Sequence, residues 1–386
     1  MIIIIENNER SVWRQTTIQK TVMAKNSGKK NPLSGVIAGI GLLIIGTVIL
    51  WMNEHDYVEN MKAVKDVSET VIDVSSETAD PANNGKLVCL NGDFIIPDET
   101  VEDSEFSVGT KTAKLYRIVE VCQWRESEDD DSYSYKKEWS EDLIDSSGFH
   151  ETGHKNPDAK AYENKSFCIS KAEIGAFTLS GEQLENLETN ETFTISSSAA
   201  LPQGYQVSDN YITNAKDMNN PNVGDIRIRY EYNTFSTATV LAVQDNNSFV
   251  DYISANGIAI NRVDEGNLNS SQVVNKMTDE NNALKWALRL IGSIAVMLGY
   301  VSLVGPISRL ASFVPLLGGL VGFVLSLAAA AVGLIHSFIV IAIAWFVFRP
   351  VFSILLIAVA AVIGVAVFLL IKKKKPAPET EERSIA

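Results

Sequence analysis

Cysteine, histidine and intramembrane acid are all scarce in this 386-residue chain. There are three Cys, at positions 89, 122 and 168, an odd and widely spaced set that excludes a disulfide-stapled mini-protein and a C-x-x-C zinc site. Buried free thiols in strands are the expectation, with one disulfide of unassigned pairing as the alternative in an oxidising compartment. The apolar segments contain no paired Asp or Glu, which argues against a proton pump or coupled transporter. No Gly-rich phosphate loop and no repeat of fixed period is present. The formal net charge of −14 excludes a nucleic-acid binder.

What is there is sorted along the chain. Between Asn53 and Ala283 stand 42 acidic and 18 basic residues, a net of −24, whereas the flanks carry 15 basic and 5 acidic, a net of +10. An acidic polar middle between basic apolar ends excludes a fully soluble enzyme.

Leu33 to Trp51 is a run of 19 residues without charge, about 28 Å as a helix and close to the ~30 Å hydrocarbon core. It is too long for a signal-peptide core and lacks a small-x-small cleavage site, so a retained anchor over 33–52 is expected. Lys20, Lys25, Lys29 and Lys30 place the 1–32 tail in the cytoplasm. Met23 opens a stretch that reads as a natural start, so 1–22 is expected to be an over-long start or a disordered tail. Three further spans are expected in 284–371, at 284–304, about 327–348 and 351–371. The four-lysine cluster Lys372–Lys375 puts the 372–386 tail in the cytoplasm as well, and an even number of spans follows. The Gly-rich 310–326, with Pro315, is then an interfacial or re-entrant piece. Arg289 and Arg349 read as snorkelling arginines near span ends, and His336 as facing another helix.

In 53–283 a helix is expected to leave the membrane as far as Ser75, with Val58, Met61, Val64 and Val67 at helical spacing. Beyond it, Lys86–Ile96, Ala113–Glu126, Ser134–Leu143, Ala172–Leu179, Thr192–Ser196, Asp225–Tyr232 and Thr237–Gln244 read as strands, separated by Asn, Gly, Asp and Pro clusters. The alternation over Ile226–Tyr232 puts its apolar and aromatic side chains on one face. The fold class is thus an integral membrane protein of four transmembrane α-helices, one N-terminal and three C-terminal, with an inserted β-rich (α+β) extracytoplasmic domain. Asn164, Asn190, Asn246 and Asn269 open N-x-S/T sequons, relevant only in a eukaryotic secretory pathway.

His150-Glu151-Thr152-Gly153-His154 matches H-E-x-x-H, in which a helix presents two His to Zn²⁺ and Glu acts as general base. A membrane-anchored zinc-dependent hydrolase using His150, Glu151 and His154 is the alternative function. Ser146, Ser147, Gly148, Gly153 and Pro157 make this loop composition, and Glu173 is the only well-spaced carboxylate for a third ligand. The acidic run Glu126–Asp131 lacks the turn Gly and spacing of a Ca²⁺ loop and reads as a solvated hairpin tip.

Several short pieces occur in a familiar order: Asn53-Glu54 after the first span; Asn84-Gly85-Lys86-Leu87-Val88 with Gly92; Arg117 and Val119-Glu120 leading to Gln123-Trp124; and Tyr135 with Trp139. Gly153-His154-Lys155-Asn156-Pro157, Gly175-x-Phe177-x-Leu179, Val223-Gly224-Asp225-Ile226-Arg227 and Arg349-Pro350 continue the series. In this order and layout, from about Leu33 to Ile371, the chain resembles the LUMA family, the transmembrane protein 43 family. It departs in having His55-Asp56 where the family has Gly-Arg, and Cys89 where the family commonly has His. The resemblance implies four spans, cytoplasmic or nucleoplasmic ends, a luminal domain, and no established catalysis or cofactor. It also implies a place in the endoplasmic reticulum and inner nuclear membrane of animals, with lamina and emerin-type partners.

The function expected is therefore a non-enzymatic membrane scaffold or sensor. Its partners are the lipid bilayer, other membrane proteins and a second copy of itself, met through small-residue faces such as Gly318-Gly319-x-x-Gly322 and Ala328–Ala331. In a bacterium its place would be the plasma membrane.

Overall fold

The computed structural model describes residues 32–129, 132–197, 200–311 and 318–351, with 353, 354 and 362. The expected tails, most of the expected span at 351–371 and the middle of the 310–326 piece lie outside the described residues.

Four helices are labelled in chain order: α1 (Pro32–Thr70), the single-turn α2 (Gly181–Glu185), α3 (Ser270–Ala311) and α4 (Gly318–Phe348). Among the described residues three helices are long and apolar enough to cross a membrane, within Gly35–Thr70, Ser270–Gly305 and Gly322–Phe348. At 39 residues α1 is about 58 Å long, roughly twice a hydrocarbon core. It does not stop where its apolar run stops. Asn53 to Thr70 carries no Gly or Pro, and Ala63, Val64 and Val67 give its outer half a buried face of its own. The helix ends at Thr70, where Ile72–Asp73 turns into a short strand parallel to the next one. α3 likewise begins three to four turns before the apolar run at 284. Residues 318–326 are not a separate piece, because they continue into 327–348 as one helix.

In the bundle, glycines set the spacing. A Cβ on Gly39 would lie 2.9 Å from the Gly299 carbonyl oxygen, and one on Gly46 would lie 2.8 Å from that of Gly292, so α1 and α3 touch backbone to backbone. The apolar core there is small: Leu50, Val296 and Val340, flanked by Leu43, Trp51, Tyr300 and Ile341.

The strands of seven residues or more are β1 (Leu87–Ile95), β2 (Lys114–Asp129), β3 (Ser132–Ser140), β4 (Ile226–Tyr232) and β5 (Thr237–Asp245). They organise two seven-stranded sheets. In the first, β1 pairs with β5 antiparallel; Ser248–Val250 and Arg262–Glu265 flank β5, and Lys171–Ile174 continues from β1 to Phe177–Ser180. In the second, β2 lies between β4 and β3, with Tyr211–Thr213 and Gln206–Ser208 beyond β4. The main core lies between the sheets and includes Val88, Leu90, Val240, Val119, Ile228 and Tyr230. As the alternation over Ile226–Tyr232 requires, Ile226, Ile228 and Tyr230 point inward while Arg227 and Arg229 do not.

The first sheet is covered on both faces. Leu87, Cys89 and Leu241 on its other side pack under Ala63, Val64 and Val67 of α1 and Val273 and Met277 of α3. That is why Leu87 to Leu90 and Ala238 to Ala242 are buried without alternation. The layers run helix pair, sheet, sheet. Cys89 sits in this seam, where burial and the charge of Asp73 push its thiol up to about 12, and all three cysteines are free.

Ala172–Leu179, expected as one strand, is a hairpin. Gly175 at φ +57° makes its turn, and a Cβ there would meet the Ser76 carbonyl oxygen at 2.1 Å.

Candidate functional site

The domain-side ends of α1, α3 and α4 meet in a polar cluster. Glu54 is 0% exposed; its Oε1 accepts from Nε of Arg289 at 2.6 Å and its Oε2 from the Trp345 indole at 2.8 Å. Arg289 is therefore not a snorkelling residue: it is buried, ion-paired across two helices and packed against the rings of Trp286 and Trp345. A carboxylate desolvated to this degree is tolerable only because both its oxygens are hydrogen-bonded. Around it, Asn53 donates to the Lys285 carbonyl at 3.1 Å, the Tyr57 hydroxyl donates to Asn282 at 3.0 Å, and the Lys285 ammonium stands 3.9 Å from the centre of the Tyr57 ring. The Arg349 guanidinium lies over Tyr57 at 4.6 Å, just before Pro350 begins the next helical turn. Asn53, Glu54 and Arg349, singled out at opposite ends of the sequence, thus occupy one patch. Trp286, 63% exposed, stands at its rim where an indole suits the bilayer interface.

Deeper in the bundle His336 joins all three long helices. Its Nε2 lies 3.2 Å from Thr47 Oγ1 and its Nδ1 3.0 Å from the Tyr300 hydroxyl. Thr47 donates its own proton to the Leu43 carbonyl at 2.6 Å, so it can only accept from His336. With Nε2 donating to Thr47, Nδ1 faces the Tyr300 hydroxyl, so both ring nitrogens are used.

A third cluster ties the outer half of α3 to the first sheet. Arg262 forks onto Asp264 on one side and Glu280 on the other, with contacts of 2.5–2.7 Å, and Lys276 also reaches Asp264. Burial works to raise the Asp264 pKa, but the hydrogen bonds and charges of Arg262 and Lys276 outweigh it and hold the carboxyl below its ordinary range.

The remaining motif residues staple the loop that follows β3. Gln123 is fully buried in β2; it donates to the Asp142 carbonyl and accepts from the Ile144 amide. Asn156 accepts from the Trp124 amide at 2.7 Å and donates to the carbonyls of Trp124 and Ile144. Gly224 at φ +93° lets its amide reach the Cys122 carbonyl, Asp225 closes the same turn by accepting from Asn222, and Pro157 packs beside Gly224. Gly85 at φ +78° sits in the turn leading into β1.

The H-E-x-x-H segment lies in this stapled loop and is not helical. His150 stacks on Tyr133 and His154 on Tyr135, with ring centroids 4.0 and 3.7 Å apart. Gly153 is in a turn, and Glu151 approaches His154 Nδ1 at only 3.5 Å. Each imidazole is thus committed to a different tyrosine, and among the described residues no three His, Cys, Asp or Glu converge as metal ligands. The zinc-hydrolase alternative finds no support in this geometry. At the hairpin tip, Glu126 accepts from the Tyr135 hydroxyl and the His150 amide, so it is a structural acceptor; Asp130 and Asp131 lie outside the described residues.

The family model for transmembrane protein 43 matches residues 121–350. The chain belongs to the transmembrane protein 43 family. Transmembrane protein 43 of Pongo abelii, of Homo sapiens and of Mus musculus are each 23% identical to it over 352 residues, covering 85% of this chain and 88% of theirs. No solved structure matches. As a member of the transmembrane protein 43 family the chain is an integral, multi-pass membrane protein. The family match opens two residues before Gln123 and closes on Pro350, so it takes in the loop staple, the Arg262 fork, Arg289, His336 and Arg349.

Some contributors escaped sequence reasoning. Asn282 and Lys285 carry no motif, and the Arg262–Glu280 pair joins a strand to a helix across a turn. The one readable signal was Glu54 itself, an acid within three residues of an apolar run.

Proposed function

We propose that this chain is a non-enzymatic membrane scaffold or sensor whose β-rich domain sits on the extracytoplasmic side. The observation that carries the reading is mechanical. α1 and α3 pass from the apolar bundle into the domain without a break, and the first sheet is packed directly on their outer halves. Glu54–Arg289 at the border and Arg262–Glu280 above it hold that junction on polar pairs buried on at least one side. Such a body holds a domain at a set height and orientation over a bilayer, which is what a platform for other membrane proteins requires. Four spans with both tails cytoplasmic, self-association, and residence in the endoplasmic reticulum and inner nuclear membrane of a eukaryote or the plasma membrane of a bacterium belong to the same reading. The basic flanks Lys20–Lys30 and Lys372–Lys375 support the orientation.

Crosslinking of the full chain in native membranes is expected to capture a second copy or a membrane-protein partner. Capture of the monomer alone counts against the scaffold. Protease added to sealed vesicles with the cytosolic face outward should leave 53–283 intact, and its digestion would reverse the threading.

A further inference from the structure

We draw no further inference here: the strongest candidate, the half-buried Arg349 guanidinium at the border of the helix bundle, whose Nη2 has no hydrogen-bond partner among the described residues, carries nothing because nothing in the structure shows what covers it, most of the chain beyond Pro350 lying outside the described residues.

Discussion

The sandwich and the helix bundle are held together by opposite means. Between the sheets the contacts are apolar and many-sided, with Val88, Leu90, Phe177, Ile228 and Tyr230 closing one continuous core. In the bundle the buried apolar core is Leu50, Val296 and Val340, and specific partners do the rest: glycines at the α1–α3 contact, Glu54 with Arg289, and His336 between Thr47 and Tyr300. The difference follows from the solvent. In water, burying apolar surface drives assembly; in lipid it brings little, and close backbone packing and polar pairs take over. The outer halves of α1 and α3 belong to both regimes, since they leave the bundle and bury Val64, Val67, Val273 and Met277 as a soluble helix would.

The sharpest way to break the contrast is Glu54→Ala. It strands Arg289 without its carboxylate and is expected to cost about 3–5 kcal/mol, read as a fall in Tm of the detergent-solubilised chain. Combining it with Arg289→Met should recover most of that loss; no recovery would mean the pair is not the source of the bundle's specificity. Next is Ile228→Ala, a cavity in the sandwich, at about 2–5 kcal/mol. Hydrogen exchange should show β4 and β2 loosening while the α1–α3 contact in the membrane stays protected.

A smaller effect concerns the junction, through pH. The Asp264 carboxyl is held below its ordinary value in the fold, so its contribution is fully present above the unfolded value near pH ~4 and is lost as pH falls through the folded one. Tm should therefore drop over that acidic window, and Asp264→Asn should flatten the drop while lowering Tm at neutral pH. The least effect is expected from His336→Ala, about 1 kcal/mol, because hydrogen bonds within membranes are individually modest. A loss several times larger in the same thermal assay would show that the Thr47–His336–Tyr300 chain organises the bundle.

How much of this was legible beforehand depended on the range of each signal. Uncharged runs identify spans because lipid excludes charge over a contiguous stretch, and Leu33–Trp51 is such a stretch. Period-two alternation revealed the inward face of Ile226–Tyr232. The loop character of His150–His154 was readable from Gly153 and Pro157. Pairing was not, since Glu54 and Arg289 stand 235 residues apart and nothing local to either announces the other. The extended reach of α3 was hidden because Ser270 to Ala283 is polar on all but a narrow stripe ending at Val273 and Met277. The hairpin at Gly175 rests on one glycine inside an otherwise strand-like run, which a residue-type pattern does not distinguish from a continuous strand.

The unbroken passage of α1 and α3 from bundle to sheet makes bilayer thickness a variable that the soluble part can feel. Rods longer than the hydrocarbon they cross answer a thinner bilayer by leaning over. Because the sandwich rides on those same rods, a lean within the lipid becomes a swing of the whole domain above it. A change of lipid composition would thus reach any bound neighbour as a change of angle, without a single contact inside the sandwich being rearranged.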